Sequence, residues 1–289
     1  MYSNYKNKIN FDINMITQKI HRSVVAVLAL TFSVSAIAAE KIVIKGSDTL
    51  GAKLVPQLAE EFKAQKAKDG VEVIFEIAAE GSSTGIAAVI DGTADIGMAS
   101  RDAKSTEISK GMVKGVKMES ITIAKDGIAV IVNVANPLEG ISSREVEKIF
   151  TGSLVSWSSL NGKSGDVSVY TRNTSSGTYG AFQKLAMRNR DYASSSQKMA
   201  GNEQIASEVG TNANGIGYVG LAYLGTKGTK ALPVDGVSPE KPDYSYSRPL
   251  YYYVDGNKEI APIVQEFIDF TLSEGGQEIV KGVHFIGIK

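Results

Sequence analysis

The 289-residue sequence contains no cysteine, only two histidines and one tryptophan. Without cysteine, the chain cannot form a disulfide and cannot carry a lipid on an N-terminal cysteine. Zinc and other transition metals bind chiefly to cysteine and histidine, so a metal centre is not expected either. Basic and acidic side chains number 31 each, which gives no indication of a nucleic-acid partner. We therefore expect a function that requires no metal and no cofactor.

The first 39 residues have the pattern of an export signal. Two basic residues precede an apolar stretch at 24–34 that is short for a bilayer span, and Ala36-Ile37-Ala38 supplies the small residues of a cleavage site. We expect residues 1–39 to be a cleaved signal peptide, starting at Met1 or Met15, and the protein to be periplasmic without a lipid anchor. This segment holds four of the basic and one of the acidic side chains, so the remainder has a net charge of about −3.

Beyond the export segment, strand-like apolar runs alternate with helix-length amphipathic segments, which is typical of α/β proteins with mostly parallel sheets. The spacing of apolar residues predicts helices at 52–66, 85–91, 143–150, 179–187, 205–209 and 260–272. Strands are predicted at 94–99, 121–134, 167–170, 215–219 and 250–254. The long segment 121–134 is expected to cross between two lobes, and the proline-rich segment 234–249 is expected to be a loop.

Three strand-like runs end in short stretches of Gly, Ser and Thr that open a helix-like pattern. These stretches are Gly46-Ser47-Asp48-Thr49, Gly81-Ser82-Ser83-Thr84-Gly85 and Ser175-Ser176-Gly177-Thr178. A helix N-terminus leaves backbone N–H groups unpaired and carries partial positive charge, so small hydroxyl residues there suit an anion. Each stretch taken alone is more often a simple helix cap. Three of them together would bind a small oxyanion without lysine.

These stretches belong to a longer set of segments that resembles the phosphate-binding proteins of bacterial phosphate ABC transporters, the PstS-like family of type II periplasmic binding proteins. The other members of the set, in family order, are 94–101, 149–152 followed by Trp157, Arg172 before the third stretch, and 215–219. The resemblance covers nearly the whole chain after the export segment. It implies an α/β fold of two lobes with mixed, mostly parallel sheets and with the ligand in the cleft between the lobes.

The resemblance also implies lobe limits and a ligand site. Lobe I would comprise 40–120 and 252–289, and lobe II would comprise 121–251. Carried over position by position, the phosphate ligands would be Ser47, Thr49, Leu50 through its backbone, Ser82, Ser83, Ser100, Arg101, Arg172, Ser176, Gly177 and Thr178. Arg172 would be the fixed charge, because its planar fork suits a tetrahedral oxyanion and stays protonated.

The function implied is a monomeric periplasmic receptor, not an enzyme, that captures inorganic phosphate and delivers it to a membrane permease and ATPase. One position departs from the family. Many members have aspartate after the serine of the Ala-Ser pair, whereas this sequence has Arg101 followed by Asp102. A carboxylate there favours protonated phosphate over sulfate. Asp48 and Asp102 are candidate replacements, and binding of sulfate or molybdate remains an alternative.

A serine hydrolase is the alternative from another class. Gly81-Ser82-Ser83-Thr84-Gly85 fits the Gly-x-Ser-x-Gly nucleophile motif, and Ser83, an aspartate and His284 would follow the order of a hydrolase triad. His284 lies in an apolar run, where a packed histidine is more common, so binding is favoured over catalysis. Gly162-Lys163-Ser164 resembles the end of a nucleotide-binding loop, but Trp157 stands where that loop requires glycine.

Overall fold

The computed structural model of the protein describes residues 39–160 and 165–289. Residues 1–38 of the predicted signal peptide and the Gly162-Lys163-Ser164 segment lie outside the described residues. In chain order the elements are β1 (Glu40–Gly46), α1 (Asp48–Gly51), α2 (Leu54–Lys68), β2 (Val73–Ala78), α3 (Ser82–Ile90), β3 (Ile96–Ala99), α4 (Ser105–Val113), β4 (Met118–Asn133), α5 (Ser143–Phe150), β5 (Ser168–Arg172), α6 (Gly177–Met187), β6 (Gln197–Met199), α7 (Asn202–Thr211), β7 (Gly215–Gly220), β8 (Thr229–Leu232), β9 (Ser247–Asp255), α8 (Pro262–Leu272) and α9 (Glu274–Gly282). Short 3-10 helices also lie at Trp157–Leu160, between α5 and β5, and at Leu221–Tyr223, between β7 and β8.

The strands in the described ranges form one mixed sheet with the order β2-β1-β3-β9-β4-β7-β5-β6, and β8 pairs with β4. Parallel pairs lie at the two ends, where β1 joins β2 and β3, and β5 joins β6 and β7. The central strands β4 and β9 run antiparallel to each other and to their other neighbours. The predicted mixed α/β sheet is confirmed, but its parallel pairs are not in the majority, because the two long central strands are antiparallel.

The strands β4 and β9 connect the two ends of the sheet. The first part of β4 pairs with β9, whereas its last part pairs with β7 and β8. On its other side β9 pairs with β3 through Tyr251–Tyr253. Both strands therefore cross from one half of the sheet to the other, as predicted for the segment 121–134. The exact lobe limits, 40–120 with 252–289 and 121–251, remain a prediction.

Two clusters of buried apolar residues pack against the sheet, and the larger one contains residues from both halves. In the half that contains β1, Phe62 of α2 packs edge-on against Phe267 of α8, with ring centroids 5.4 Å apart. In the half that contains β7, the rings of Phe182 and Tyr218 stack with centroids 4.1 Å apart, in a cluster that also contains the buried Trp157. Burial of each such ring stabilises the fold by roughly 1.5–3 kcal/mol. Because Ile205 of α7 and Val219 of β7 belong to the same cluster as Phe62, this packing also joins the two halves to each other.

Several element boundaries differ from those predicted. The helices α3 and α6 begin earlier than expected, at Ser82 and Gly177, so that the polar stretches form the first helical turns. The helix α4 was missed because Gly111 is its only buried residue, which leaves no apolar stripe in the sequence. The C-terminal helix α9 was not predicted either. None of the helices in the described part of the chain is both long and apolar enough to span a membrane.

Candidate anion-binding site

The N-termini of α1, α3 and α6 meet at one place between the two halves of the sheet. The hydroxyl oxygens of Thr49 on α1 and Thr178 on α6 lie 3.0 Å apart. The backbone N–H of Ser83 on α3 donates to the carbonyl of Ser175 before α6, at 3.1 Å. The N–H of Gly81 donates to the carbonyl of Gly46 at 2.7 Å, which ties the first two stretches together. The three Gly/Ser/Thr stretches therefore form one cluster of helix N-termini.

A second group of hydroxyls stands beside the start of α6. The backbone N–H of Ser100 donates to Ser82 Oγ at 3.0 Å, and the two hydroxyl oxygens are 3.3 Å apart. A Cβ atom at Gly177 would overlap both of these oxygens, so glycine is required for this close approach. The site residues Ser47, Thr49, Leu50, Ser82, Ser100, Ser176 and Thr178 are each no more than 3% exposed. The polar groups of the cluster are therefore shielded from bulk water.

The cluster contains buried hydrogen-bond donors that have no partner among the described residues. These are the hydroxyl of Ser47 and the Nη1 nitrogen of Arg172. The first N–H groups of α1 and α6 also lack intrahelical acceptors, as at every helix start. A buried unpaired donor costs about 1–3 kcal/mol, so native structures rarely leave several in one place. The arrangement is the one expected where an acceptor such as an oxyanion binds.

Arg172 is 1% exposed and is held rigidly at the end of β5. Its Nε and Nη2 atoms both donate to the carbonyl of Ala200, at 3.1 Å and 2.7 Å. Its Nη1 atom lies 3.1 Å from Asp48 Oδ2, close enough for an ion pair but not aligned as a hydrogen bond. The guanidinium is thus fixed by one edge and keeps a donor available at the other.

Asp48 is the carboxylate that lies within the cluster. Its Oδ2 atom accepts hydrogen bonds from the backbone N–H of Asn202, at 3.0 Å, and from Asn202 Nδ2, at 2.6 Å. Its Oδ1 atom accepts none of the hydrogen bonds found in the described ranges. Asn202, the first residue of α7, is a site residue that the sequence analysis missed, because a lone asparagine at a helix start reads as an ordinary cap.

Arg101 has a different set of partners from those expected of a ligand-binding group. Glu107 on α4 accepts from both Nη1 and Nη2 of its guanidinium, each at 2.8 Å. The same nitrogens also donate to the Asp102 carbonyl, at 2.8 Å, and to Ser83 Oγ, at 2.9 Å. The Asp102 carboxylate accepts from the hydroxyl of Tyr251 at 2.7 Å, on the exposed surface. These contacts join Arg101, Ser83 and Asp102 to α4 and β9 and engage both Nη atoms of the guanidinium.

The Arg101 contacts also determine the ionisation of Glu107. Burial raises the pKa of this carboxyl, but the hydrogen bonds from Arg101 and from the Lys104 backbone, together with the Arg101 charge, outweigh burial and hold the pKa below its usual range. Glu107 is therefore a carboxylate at neutral pH and completes the ion pair with Arg101.

A further arginine, Arg248 on β9, was missed because it lies in the segment predicted to be a loop. It faces Asp126 directly across the β4–β9 pairing. Its Nε and Nη2 atoms donate to Asp126 Oδ2 at 3.2 Å and 2.7 Å, and the pair is almost completely buried. Burial raises the pKa of Asp126, and the charge of Arg248 opposes that rise. The only signal in the sequence was the charged interruption Lys125-Asp126-Gly127 inside a strand-like run.

The residues of the hydrolase alternative are not assembled as a triad. The hydroxyl of Ser83 accepts a hydrogen bond from Arg101. His284 is exposed in the turn after α9, with a φ of 67°, and its backbone N–H donates to the carbonyl of Lys281. No contact among the described residues joins His284 to Ser83. The same residues contain no group of three His, Asp or Glu side chains placed to hold a metal ion.

The two sheet halves, the crossing strands β4 and β9, and the facing helix N-termini define a type II periplasmic binding protein. In agreement, the family model for the PBP superfamily domain matches residues 33–275. The phosphate-binding protein PstS of Pseudomonas aeruginosa is 33% identical over 261 residues, which cover 81% of this chain and 79% of that protein. The chain belongs to the PstS-like family of phosphate-binding proteins within this superfamily.

Solved structures agree with this assignment. A putative phosphate ABC transporter substrate-binding protein from Clostridium perfringens, solved with bound phosphate, is 34% identical and superposes with a TM-score of 0.77, covering 86% of this chain and 100% of that chain. An ABC-type phosphate transport receptor from Vibrio cholerae is 26% identical, with a TM-score of 0.68, and covers 85% of this chain and 99% of that chain. The predicted fold class and family resemblance are therefore confirmed.

Proposed function

We propose that this protein is a periplasmic receptor that binds inorganic phosphate and delivers it to the permease and ATPase of an ABC transporter. The observation that carries the proposal is the accumulation of buried unpaired donors, Ser47 Oγ and Arg172 Nη1, beside three helix N-termini. A chain of the PstS-like family with such a cluster is best explained as a binding protein rather than an enzyme. The predicted export segment, which lies outside the described residues, is what suggests the periplasm.

The proposed ligands come from both halves of the sheet. The hydroxyls of Thr49 and Ser82 with the start of α1 face the hydroxyls of Ser176 and Thr178 with the start of α6, and Arg172 supplies the charge. Charge-assisted hydrogen bonds contribute roughly 1.5–3 kcal/mol each, and micromolar affinity requires about 8 kcal/mol after the costs of binding. Several such donors therefore suffice, and the close approach of Gly177 to Ser82 and Ser100 places donors from separate segments within reach of one small ion.

The site is nearly neutral before the ligand arrives, because its arginines are paired. Arg172 is paired with Asp48 and Arg248 with Asp126. The anion is therefore held mainly by backbone dipoles and hydroxyl groups. These groups are already oriented before the ion binds, so little energy is spent on reorienting them. Because donors from both halves bind one ion, phosphate stabilises the closed arrangement of the halves. We propose that the permease recognises this closed surface.

Asp48 is our candidate for the carboxylate that selects phosphate. Its Oδ2 is occupied by Asn202 and Arg172, which leaves Oδ1 to accept the hydrogen of a protonated phosphate. Sulfate has no such hydrogen at neutral pH, so it would bring an unpaired acceptor and a repulsive charge into contact with it. Asp102, the other candidate, is bonded to Tyr251 and is exposed, so we propose no role for it in selection.

Isothermal titration of the chain without its export segment tests the proposal. We expect heat from phosphate and arsenate and much weaker heat from sulfate and molybdate. The substitution Asp48→Asn should reduce the preference for phosphate over sulfate, whereas Asp102→Asn, the matched control, should leave the preference unchanged. Sulfate binding as tight as phosphate binding would overturn the assignment of phosphate as the ligand.

A further inference from the structure

The buried ion pair of Arg248 and Asp126 reaches the proposed phosphate site through Thr49. Arg248 Nη2 donates to Asp126 Oδ2 at 2.7 Å and also lies 3.5 Å from Thr49 Oγ1. Arg248 Nη1 donates to the carbonyl of Ser100 at 2.9 Å. The distance to Thr49 is at the upper limit for a hydrogen bond, so this contact stabilises the fold little.

The direction of hydrogen bonding at Thr49 follows from the chemistry of its neighbours. Guanidinium and amide NH2 nitrogens can only donate. Arg248 Nη2 and Asn202 Nδ2, which lies 3.4 Å from Thr49 Oγ1, therefore both turn hydrogens toward the lone pairs of the Thr49 oxygen. The single hydrogen of the Thr49 hydroxyl must point elsewhere. It is left for Thr178 Oγ1, 3.0 Å away, or for an anion placed between the helix N-termini.

The ion pair is built to hold this orientation whether or not a ligand is bound. Asp126 is completely buried and its Oδ1 accepts from the backbone N–H of Leu221 at 2.9 Å. Arg248 and Asp126 stand opposite each other on the crossing strands β9 and β4. The guanidinium therefore has four hydrogen-bonding contacts that do not involve a ligand, and its position is fixed by the sheet.

We propose that Arg248, held by Asp126, is a positioning residue that makes the Thr49 hydroxyl an obligatory donor to the bound oxyanion. Arg248 acts through Thr49 and does not itself contact the ion. The inference rests on the proposed function, since it assigns a role within the same phosphate site. It is distinct from the role of Arg172, whose free Nη1 faces the site directly.

A double-mutant cycle on phosphate affinity tests the inference by titration calorimetry. The substitution Arg248→Lys keeps the charge beside Asp126 but removes the fork that reaches both Asp126 and Thr49. Thr49→Val keeps the shape of residue 49 and removes its hydroxyl. We expect Arg248→Lys to weaken phosphate binding about tenfold in the natural background and less than about twofold in the Thr49→Val background. In a Thr49→Ser background, which restores a hydroxyl, the effect of Arg248→Lys should return.

The matched control is Arg101→Lys, which alters another buried arginine–carboxylate pair that does not touch Thr49. Its effect should be the same with threonine or valine at position 49. If Arg248→Lys does not fold, the neutral pair Arg248→Gln with Asp126→Asn replaces it in the cycle. Equal fold losses in both backgrounds would overturn the inference while leaving phosphate binding intact. A natural chain that binds no phosphate would instead overturn the proposed function.

Discussion

Two buried arginines, Arg101 and Arg172, lie beside the same cluster of helix N-termini. They differ in whether their carboxylate partner leaves a guanidinium nitrogen available to a ligand. In the Arg101 region, formed by Arg101, Glu107 and Ser83, the carboxylate accepts hydrogen bonds from both Nη atoms of the guanidinium. In the Arg172 region, formed by Arg172, Asp48 and Ser47, the carboxylate lies near one Nη atom without a hydrogen bond. Burial does not distinguish them, because Arg101 is 8% exposed and Arg172 is 1% exposed.

The comparison shows that the geometry of the ion pair decides whether a buried arginine is available to a ligand. A bidentate pair satisfies the planar fork and makes the arginine structural. A pair that contacts one nitrogen, with the other edge fixed by a backbone carbonyl, leaves a preorganised donor. We therefore expect the Arg172 region to control affinity and the Arg101 region to control stability.

Removal of the Arg172 side chain should have the largest effect on phosphate affinity. Arg172→Ala deletes the charge and the charge-assisted hydrogen bond available from Nη1, at roughly 1.5–3 kcal/mol, so phosphate affinity should fall by at least about tenfold. Circular dichroism should show the same secondary structure, because β5 is held by its backbone pairing. Titration calorimetry measures the change. An affinity within a few-fold of the natural protein would contradict the comparison.

Removal of the Ser47 hydroxyl should separate affinity from stability. Ser47 Oγ is buried without a partner in the described residues, so Ser47→Ala removes an unsatisfied group from the free protein. The free protein should be as stable as the natural one or more stable, whereas phosphate affinity should fall by about 1–2 kcal/mol. Urea unfolding and calorimetry measure the two quantities.

The control for this substitution is Ser273→Ala. Ser273 caps α9 by accepting from the N–H of Gly276 at 3.2 Å, and it lies outside the proposed site. This variant should lose about 1 kcal/mol of stability and keep its affinity. If Ser47→Ala and Ser273→Ala change stability and phosphate affinity alike, the unpaired hydroxyl of Ser47 is not a ligand of the phosphate.

Truncation of Arg101 should lower stability but leave phosphate affinity almost unchanged, which is the reverse of the result expected for Arg172. Arg101→Ala leaves the half-buried carboxylate of Glu107 without its partner, which should lower the free energy of unfolding by about 1–3 kcal/mol. Phosphate affinity should change by less than about threefold, because both Nη atoms of Arg101 are engaged by Glu107, Ser83 and the Asp102 carbonyl. Loss of affinity comparable to that of Arg172→Ala, measured on folded protein, would reinstate Arg101 as a ligand.

Much of the fold was predictable from local patterns, and the Gly/Ser/Thr stretches indicated where helices begin. The helix predicted at 143–150 coincides with α5, because its capping box at Ser142 and its apolar stripe both appear in the sequence. The helix α4 was not predictable, since packing buries only Gly111. The direction of the central strands was not predictable either, because pairing of β4 with β9 joins segments more than a hundred residues apart.

The sequence indicated the hydroxyl-rich stretches and the charge of Arg172, but not how the charged residues pair. Thr49, Ser82 and Thr178 lie in stretches whose Gly, Ser and Thr content can be recognised directly in the sequence. Which carboxylate pairs with which arginine depends on three-dimensional distances, so the pairing of Arg101 with Glu107 and of Arg172 with Asp48 could not be read from the sequence. Arg248 was hidden in the proline-rich segment 234–249, where polar residues normally indicate a loop.

The smallest expected effect concerns the acid sensitivity of the Arg101 region. Because the pKa of Glu107 is lowered in the folded protein, the folded state holds this proton less tightly than the unfolded state. The contribution of Glu107 to stability is therefore present above its ordinary pKa of 4.5 and is lost as the pH falls through the lower, folded value. Urea unfolding of the natural protein and of Glu107→Gln, at pH 7 and pH 3, measures this contribution. The stability difference between the two proteins should shrink at pH 3, and a difference that stays constant would show that the carboxylate form of Glu107 is not what stabilises the region.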